Sequence, residues 1–277
     1  MRRVSNLKEL QVIQTNVLYD LTEFCNRNNI KFYLLGGTLI GAVRHKGYIP
    51  WDDDMDIAMS RPEYEKLVKL SKGGVSDRCS VLAPEANKEY RGYIPQVVYD
   101  KSRLVSRQYR IEEQLKIGIS IFVYDGIPNN RIVRKVYYYQ MYITRAFHAL
   151  CRANFKNAGS RSARLIGPLL APFIKQTNVF RYRDRVLSRQ KKYSYEKSTM
   201  VSPNADTRSF LEDVEKQQFE TEVYIEFEGI RCKVFSHYDE HLTKYYGDYM
   251  QLPPVEQQEG KHSFDACIEE NFENRLM

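Results

Sequence analysis

The chain has 277 residues, 28% of them charged and 43% apolar, with a formal net charge of +7. That length buries the core of one domain with an insertion, or of two small domains. No apolar run approaches the roughly 20 residues of a bilayer-spanning helix, and no apolar h-region follows Met1–Asn6, so neither a spanning segment nor a secretory leader is expected.

Residues 6–28 predict an amphipathic helix. Leu7, Leu10, Ile13, Val17, Leu21 and Phe24 recur at helical spacing, and Asn6 with Glu9 forms an N-cap and N3 pair. This helix reads as scaffold. Phe32-Tyr33-Leu34-Leu35 then reads as a short buried strand that stops at Gly36-Gly37-Thr38. Two glycines at a strand end let the backbone turn sharply and let a ligand approach it closely. A short amphipathic piece runs from Thr38 to Arg44. It is followed by the turn-rich Lys46–Pro50, the single tryptophan Trp51, and four carboxylates in five positions: Asp52, Asp53, Asp54 and Asp56.

Ile57-Ala58-Met59 is again strand-like, and side chains alternate along a strand, so Asp54 and Asp56 point the same way. Adjacent ionised carboxylates repel each other unless a cation holds them or one is protonated. Oxygen-only ligands suit Mg²⁺ (or Mn²⁺), which takes one or two carboxylates together with waters and substrate phosphates. A glycine turn after one strand and Asp-x-Asp on the next therefore read as a nucleotide-phosphate site. Asp54 and Asp56 would hold the metal, and Gly36, Gly37 and Thr38 would cradle phosphate oxygens. Asp-x-Asp alone would fit a solvated acidic loop better; the glycine turn beside it shifts the reading to a phosphate site.

The stretch Gly36-Gly37-Thr38-Leu39-Ile40-Gly41-Ala42-Val43-Arg44-His45-Lys46-Gly47, followed by Ile49-Pro50-Trp51-Asp52-Asp53-Asp54-Met55-Asp56-Ile57, resembles the signature of the LicD family. That family contains bacterial phosphocholine transferases and is related to fukutin-type ribitol-phosphate transferases. The resemblance implies an α/β (α+β) fold: a nucleotidyltransferase-like mixed β-sheet flanked by helices. It further implies a third carboxylate on a later strand.

Ser60-Arg61-Pro62-Glu63 predicts a capped helix start, with the helix ending at Gly73-Gly74. Val81-Leu82 and Ile94–Tyr99 read as strands. Arg91, Lys101, Arg103 and Arg107 could present charge to phosphates, but for any single one a solvated strand face is the favoured reading. Ile117–Gly126 is the next apolar strand and resembles the family pattern Ile-Asp-Ile-Phe-Pro-Leu-Asp-Gly. Ser120 stands where that pattern has its third carboxylate. Either Asp125 or another carboxylate substitutes, or the metal site is weaker, or the usual activity is lost. Asp125-Gly126 also fits an ordinary strand-end turn.

Asn130–Ala153 predicts a helix, with Val133, Val136, Ile143, Phe147 and Leu150 on one side. Charge is concentrated here: Arg131–Lys192 holds 15 Lys and Arg and one acid, Asp184, leaving the remainder of the chain net negative. The apolar island Leu165–Ile174 lies between these cations. Such a segment suits an anionic membrane surface, where each cation contributes about 1 kcal/mol. It also suits a polyanionic glycan, or a basic helical insertion packed on the core. No RNA- or DNA-binding motif accompanies it, so no nucleic-acid partner is expected.

Glu222–Phe235 predicts a hairpin and Tyr238–Tyr245 a helix. Tyr246-Gly247-Asp248-Tyr249-Met250, two prolines and a downstream His262 resemble the family's second signature. Aromatic faces beside a carboxylate suit a quaternary ammonium such as choline. This places Tyr246, Asp248 and Tyr249 among the substrate-binding candidates and His262 among the catalytic ones.

The five cysteines, Cys25, Cys79, Cys151, Cys232 and Cys267, are dispersed without metal-ligand spacing. They predict free thiols in a reducing compartment, the cytoplasm; the basic segment with its apolar island adds the reading of peripheral association at the inner membrane face. The domain reading is a core over residues 1–130, a basic helical insertion over 131–200, and a C-terminal part over 201–277 that completes the core.

The resemblance implies a metal-dependent phosphotransferase. It would move a phospho-alcohol from a CDP-alcohol donor such as CDP-choline to a sugar hydroxyl of a glycan or lipid-linked glycan (teichoic acid, lipopolysaccharide or capsule). Asp52, Asp53 or Asp125 would take the acceptor proton, and Arg44, His45 and Lys46 would stabilise phosphate charge. Ser120 leaves open a non-catalytic glycan- or nucleotide-binding subunit, and the fold would also permit a nucleotidyltransferase using an NTP.

Overall fold

A computed structural model describes residues 1–106, 109, 115–154, 165, 167, 169, 178–203, 209–258 and 264–276. The chain opens with β1 (Arg2–Arg3) and α1 (Leu7–Arg27). Asn6 caps α1 by accepting from the Glu9 N–H at 2.9 Å. The Glu9 carboxylate reaches back to the Ser5 N–H and to Arg2. The apolar stripe of α1 is buried, and Gln11 and Gln14 are buried alongside it.

Next come β2 (Tyr33–Leu34), α2 (Gly36–His45), β3 (Asp56–Ser60), α3 (Arg61–Ser71), β4 (Cys79–Leu82), β5 (Gln96–Tyr99), β6 (Ser102–Ser106) and β7 (Gly118–Gly126). Ser60 caps α3, with Pro62 in its first turn. Five of these strands form a mixed sheet in the order β2-β3-β7-β5-β4. Only β3 and β7 run parallel, and their register sets Asp56 opposite Ser120. Isoleucines at 57, 119 and 121 bury the sheet, so the site's carboxylates begin where the apolar strand stops.

Then follow α4 (Arg131–Arg152), α5 (Val179–Gln190), β8 (Met200–Ser202), β9 (Val214–Glu215), α6 (Lys216–Glu220), β10 (Glu222–Phe227), β11 (Ile230–Phe235), α7 (Tyr238–Tyr246) and β12 (Phe264–Ile268). The hairpin β10–β11 turns through Glu228-Gly229, and β8 extends the main sheet on the far end of β7. Strands β1, β12 and β6 make a small separate sheet, which joins the two ends of the chain. The aromatic cluster Tyr33, Tyr124, Phe219 and Phe235 fastens the C-terminal elements to the main sheet, with Tyr124 and Phe219 stacked at 4.3 Å.

Helices α4 and α5 pack around a second small core of Ile127, Tyr137, Met141 and Val186. Here the structure departs from the sequence expectation. The apolar positions Val133, Val136, Ile143 and Phe147 are exposed, and the buried side of α4 holds Tyr137, Met141, Thr144, Arg145, His148 and Cys151. Sequence periodicity points to the apolar stripe, and packing against α5 and Tyr93 buries a more polar one instead.

All five cysteines are free thiols, and no described helix is long and apolar enough to cross a membrane. The island Leu165–Ile174, Arg107 and His262 lie wholly or mostly outside the described residues.

Candidate active site at the meeting of two cavities

The glycine turn is the start of α2. Gly36 has φ +58°, a left-handed conformation that costs any other residue about 1–2 kcal/mol. Leu35 occupies the N-cap position and supplies no side-chain cap to the first N–H groups of α2. A Cβ on Gly37 would lie 2.5 Å from Oδ2 of Asp52, so only glycine lets that carboxylate sit over the helix start. The buried Thr38 hydroxyl accepts from the Asp56 N–H at 2.9 Å. That bond joins the glycine turn to Asp-x-Asp across 18 residues of sequence.

The aspartates stand on a loop held from behind. Gln11 Nε2 donates to the Asp52 carbonyl at 3.0 Å, and Gln14 Nε2 donates to the Asp53 carbonyl at 3.2 Å. The Ser120 N–H donates to the Met55 carbonyl at 2.9 Å. Helix α1, read from the sequence as scaffold, thus positions the acidic loop. Its sequence signal is two glutamines beside a buried apolar stripe.

One carboxylate oxygen each from Asp52, Asp53 and Asp54 lie within 4.8 Å of one another. Asp54 and Asp56 form the wall shared by two cavities. The first, 580 Å³, opens onto Gly37, Arg44, Trp51, Asp52, Tyr246 and Asp248. The second, 650 Å³, opens onto Asp53, Ser120, Lys116, Arg145, His148 and Arg152. Asp52 therefore faces one side of the shared wall and Asp53 the other.

In the first cavity, Arg44 Nη1 donates to the carbonyls of Tyr249 at 2.9 Å and Gln251 at 3.4 Å. It clamps the Tyr246–Leu252 loop against α2. The Tyr249 hydroxyl donates to Asp239, which fixes the loop from its other side. The Tyr246 hydroxyl lies over Gly36, 3.5 Å from where a Cβ would be.

In the second cavity, His148 accepts a ring edge from Tyr93, and its Nε2 donates to the Arg91 carbonyl at 2.8 Å. Burial pushes this imidazole down to about 4, so it is neutral near pH 7. Lys116 pairs with Asp100 at 2.7 Å, and the Arg152 guanidinium lies 4.2 Å from the Tyr109 ring. Nothing in the order of residues points to this wall, because α4 begins 75 residues after Asp56 (131 against 56) and carries no motif.

Residues 29–160 match the family described as LicD/FKTN/FKRP, nucleotidyltransferase domain. A lipopolysaccharide cholinephosphotransferase LicD of Haemophilus influenzae is 31% identical over 268 residues, covering 95% of this chain and 98% of that protein. The chain belongs to the LicD family. Uncharacterized proteins of Rickettsia prowazekii and Rickettsia typhi are 47% identical over 68 and 57 residues, spanning 24% and 21% of this chain and 25% and 18% of theirs. The span 29–160 of the LicD match holds the glycine turn, the aspartates, Ser120 and α4. The glutamines of α1 and the Tyr246–Leu252 loop lie outside it.

Against this LicD site, several sequence candidates take other places. Asp125 is on the same strand as Ser120 but five residues further on, roughly 16 Å away at strand rise. It is 1% exposed and forms a two-point salt bridge with Arg61, both bonds 2.7 Å. Burial alone would lower the Arg61 pKa, but the Asp125 carboxylate holds it above its ordinary value. Asp125 is thus a structural partner of α3 and lines neither cavity.

His45 accepts from Arg44 Nε at 2.9 Å, and burial followed by the Arg44 charge lowers its pKa. Lys46 is the exposed C-cap of α2. Both sit at the opposite end of the helix from the glycines, about 13 Å along its axis, and line neither cavity. Lys101 pairs with Glu269, and Arg91 lies over the Phe180 ring.

Proposed function

We propose that this protein is a Mg²⁺-dependent phosphotransferase that moves phosphocholine from CDP-choline to a hydroxyl of a lipid-linked saccharide at the cytoplasmic face of a membrane. The observation that carries this reading is the pair of cavities meeting on Asp54 and Asp56. Phosphoryl transfer sets the attacking and leaving oxygens roughly in line through phosphorus. It therefore needs one compartment on each side of the reacting group.

The Gly37 side is the donor side. The start of α2, where Leu35 gives no side-chain cap, suits diphosphate oxygens, and Trp51, Tyr246 and Tyr249 with Asp248 suit a quaternary ammonium. The α4 side is the acceptor side, where Tyr90, Tyr93 and Phe122 offer faces for sugar rings. The acceptor hydroxyl oxygen forms a new bond to the choline-bearing phosphorus. The bond from that phosphorus to the bridging oxygen breaks, and CMP leaves with the electron pair. Asp53, which faces only the acceptor side, takes the hydroxyl proton.

The chemistry of the donor set fits a hard cation: Asp54 and Asp56 on the shared wall, with Asp52 and Asp53 beside them, offer oxygens alone. A bound Mg²⁺ would neutralise charge on the transferred phosphate. Asp52 would make up for the missing carboxylate at Ser120 by supplying an additional oxygen from the loop that precedes β3.

Calorimetry with CDP-choline, with and without Mg²⁺, tests the reading. Binding is expected to require Mg²⁺ and to vanish in Asp54→Ala/Asp56→Ala. Asp53→Asn is expected to keep donor binding and lose transfer. Donor binding that survives in the double variant refutes the metal assignment. Release of pyrophosphate from CTP, with no use of CDP-choline, would overturn the reaction itself.

A further inference from the structure

Helix α4 has two unlike long faces. Its buried face contributes Arg145, His148 and Arg152 to the acceptor-side cavity. At 3.6 residues per turn, the side furthest from those residues carries Ile132, Val136, Tyr139, Ile143 and Phe147. All five are exposed, Ile132 by 75% and Tyr139 by 66%. Single exposed apolar residues are ordinary, but a continuous stripe along a 22-residue helix is not.

Charge says what covers the stripe. Between Arg131 and Arg152 there is no Asp or Glu. Exposed Arg131 and Lys135 flank the first turns. At the other end Phe147 stacks on Tyr182 of α5 with centroids 5.3 Å apart, and the Arg185 guanidinium lies 5.4 Å from the same Tyr182 ring. Arg181 and Arg185 are both exposed. Asp184, the one acid in the basic segment, is taken up by Arg183 at 2.8 Å. A second copy of this chain docking on the stripe by two-fold symmetry would bring these cations against each other. An apolar stripe flanked by cations instead matches the acyl boundary and anionic headgroups of a bilayer.

We propose that the outer face of α4 docks this protein on an anionic lipid bilayer, with the helix lying in the interface and its inner face walling the acceptor cavity. Docking itself stands on the stripe and its charges. Its use, bringing the cavity to a saccharide held at the membrane by a lipid, rests on the phosphotransfer reading.

Co-sedimentation of the full chain with vesicles tests it. Binding to phosphatidylglycerol vesicles is expected, about tenfold weaker to pure phosphatidylcholine, and weakened at about 1 M salt. Ile132→Ser/Tyr139→Ser removes two exposed side chains and is expected to weaken vesicle binding at least tenfold while leaving the melting temperature and CDP-choline binding unchanged. No sedimentation with phosphatidylglycerol, or unchanged sedimentation of the double variant, overturns the proposal. So does a dimer in sedimentation velocity that the double variant turns into a monomer, since a second copy would then cover the stripe. Calorimetric donor binding separates the two readings: vesicle binding without donor binding defeats phosphotransfer and leaves docking standing.

Discussion

Replacing Gly37 by alanine adds one methyl group at the point where α2 meets the acidic loop. Gly37 has no positive φ, so alanine fits its backbone. In a helix, alanine for glycine favours the folded state by about 0.5–1 kcal/mol. The added Cβ would, however, lie 2.5 Å from Oδ2 of Asp52, where ordinary contact begins at 3.4 Å.

The Asp52 main chain is held by its own N–H to the Ile49 carbonyl and by Gln11 on its carbonyl, so the side chain must give way. The carboxylate moves by about 1 Å, and a misplacement of that size costs roughly 100-fold in rate when the group handles the reacting phosphate. Gly37→Ala is thus expected to melt within a degree or two of the parent and to transfer phosphocholine about 100-fold more slowly. Thermal unfolding and a CMP-release assay at saturating donor measure the two quantities. Gly36→Ala is the contrast: its φ of +58° predicts a stability loss of about 1–2 kcal/mol. An unaltered rate in Gly37→Ala would refute a role for Asp52 on the donor side. A large fall in melting temperature would refute the idea that only a side chain moves.

Asp125→Ala leaves the buried Arg61 without its two-point partner. Such a loss costs about 3–5 kcal/mol, and the Glu85 carboxylate 4.0 Å from Arg61 sets the expectation near the lower end. A urea titration should show that loss, while CDP-choline binding by the folded protein stays unchanged; an unchanged urea midpoint would refute the structural role. Acid sensitivity follows from two buried histidines. Burial lowers His148 and His241 from 6.5 to about 4. Below pH 6.5 the unfolded chain binds protons that the folded chain does not, so stability falls with pH until about pH 4, by roughly 3 kcal/mol for each residue. His148→Gln/His241→Gln should flatten that part of the stability–pH curve measured by denaturant unfolding, and an unflattened curve would refute the assignment.

Much of the site was legible because its parts are local. The two glycines, Asp-x-Asp and the Tyr246–Tyr249 loop are short motifs whose spacing follows from one turn and one strand. The resemblance to the family pattern sets Ser120 at the place of a third carboxylate, and the parallel register of β3 and β7 puts it opposite Asp56. The caps at Asn6 and Ser60 were equally readable, since a cap depends on residues three apart.

Long-range geometry decided the rest. Asp125 sits in the same strand as Ser120, and only the sheet shows that its end of the strand meets Arg61 rather than the aspartates. Lys46 belongs to the motif in sequence yet lies a helix length away from the glycines. Whether α4 turned its apolar or its mixed face inward was set by what it met: α5 on one side and a polar cavity, which Arg145 and His148 help to enclose. Periodicity in a sequence identifies the faces of a helix, but burial is a property of the neighbour, and the neighbours of α4 include Val186 of α5 and Tyr93, which lie far from it in sequence.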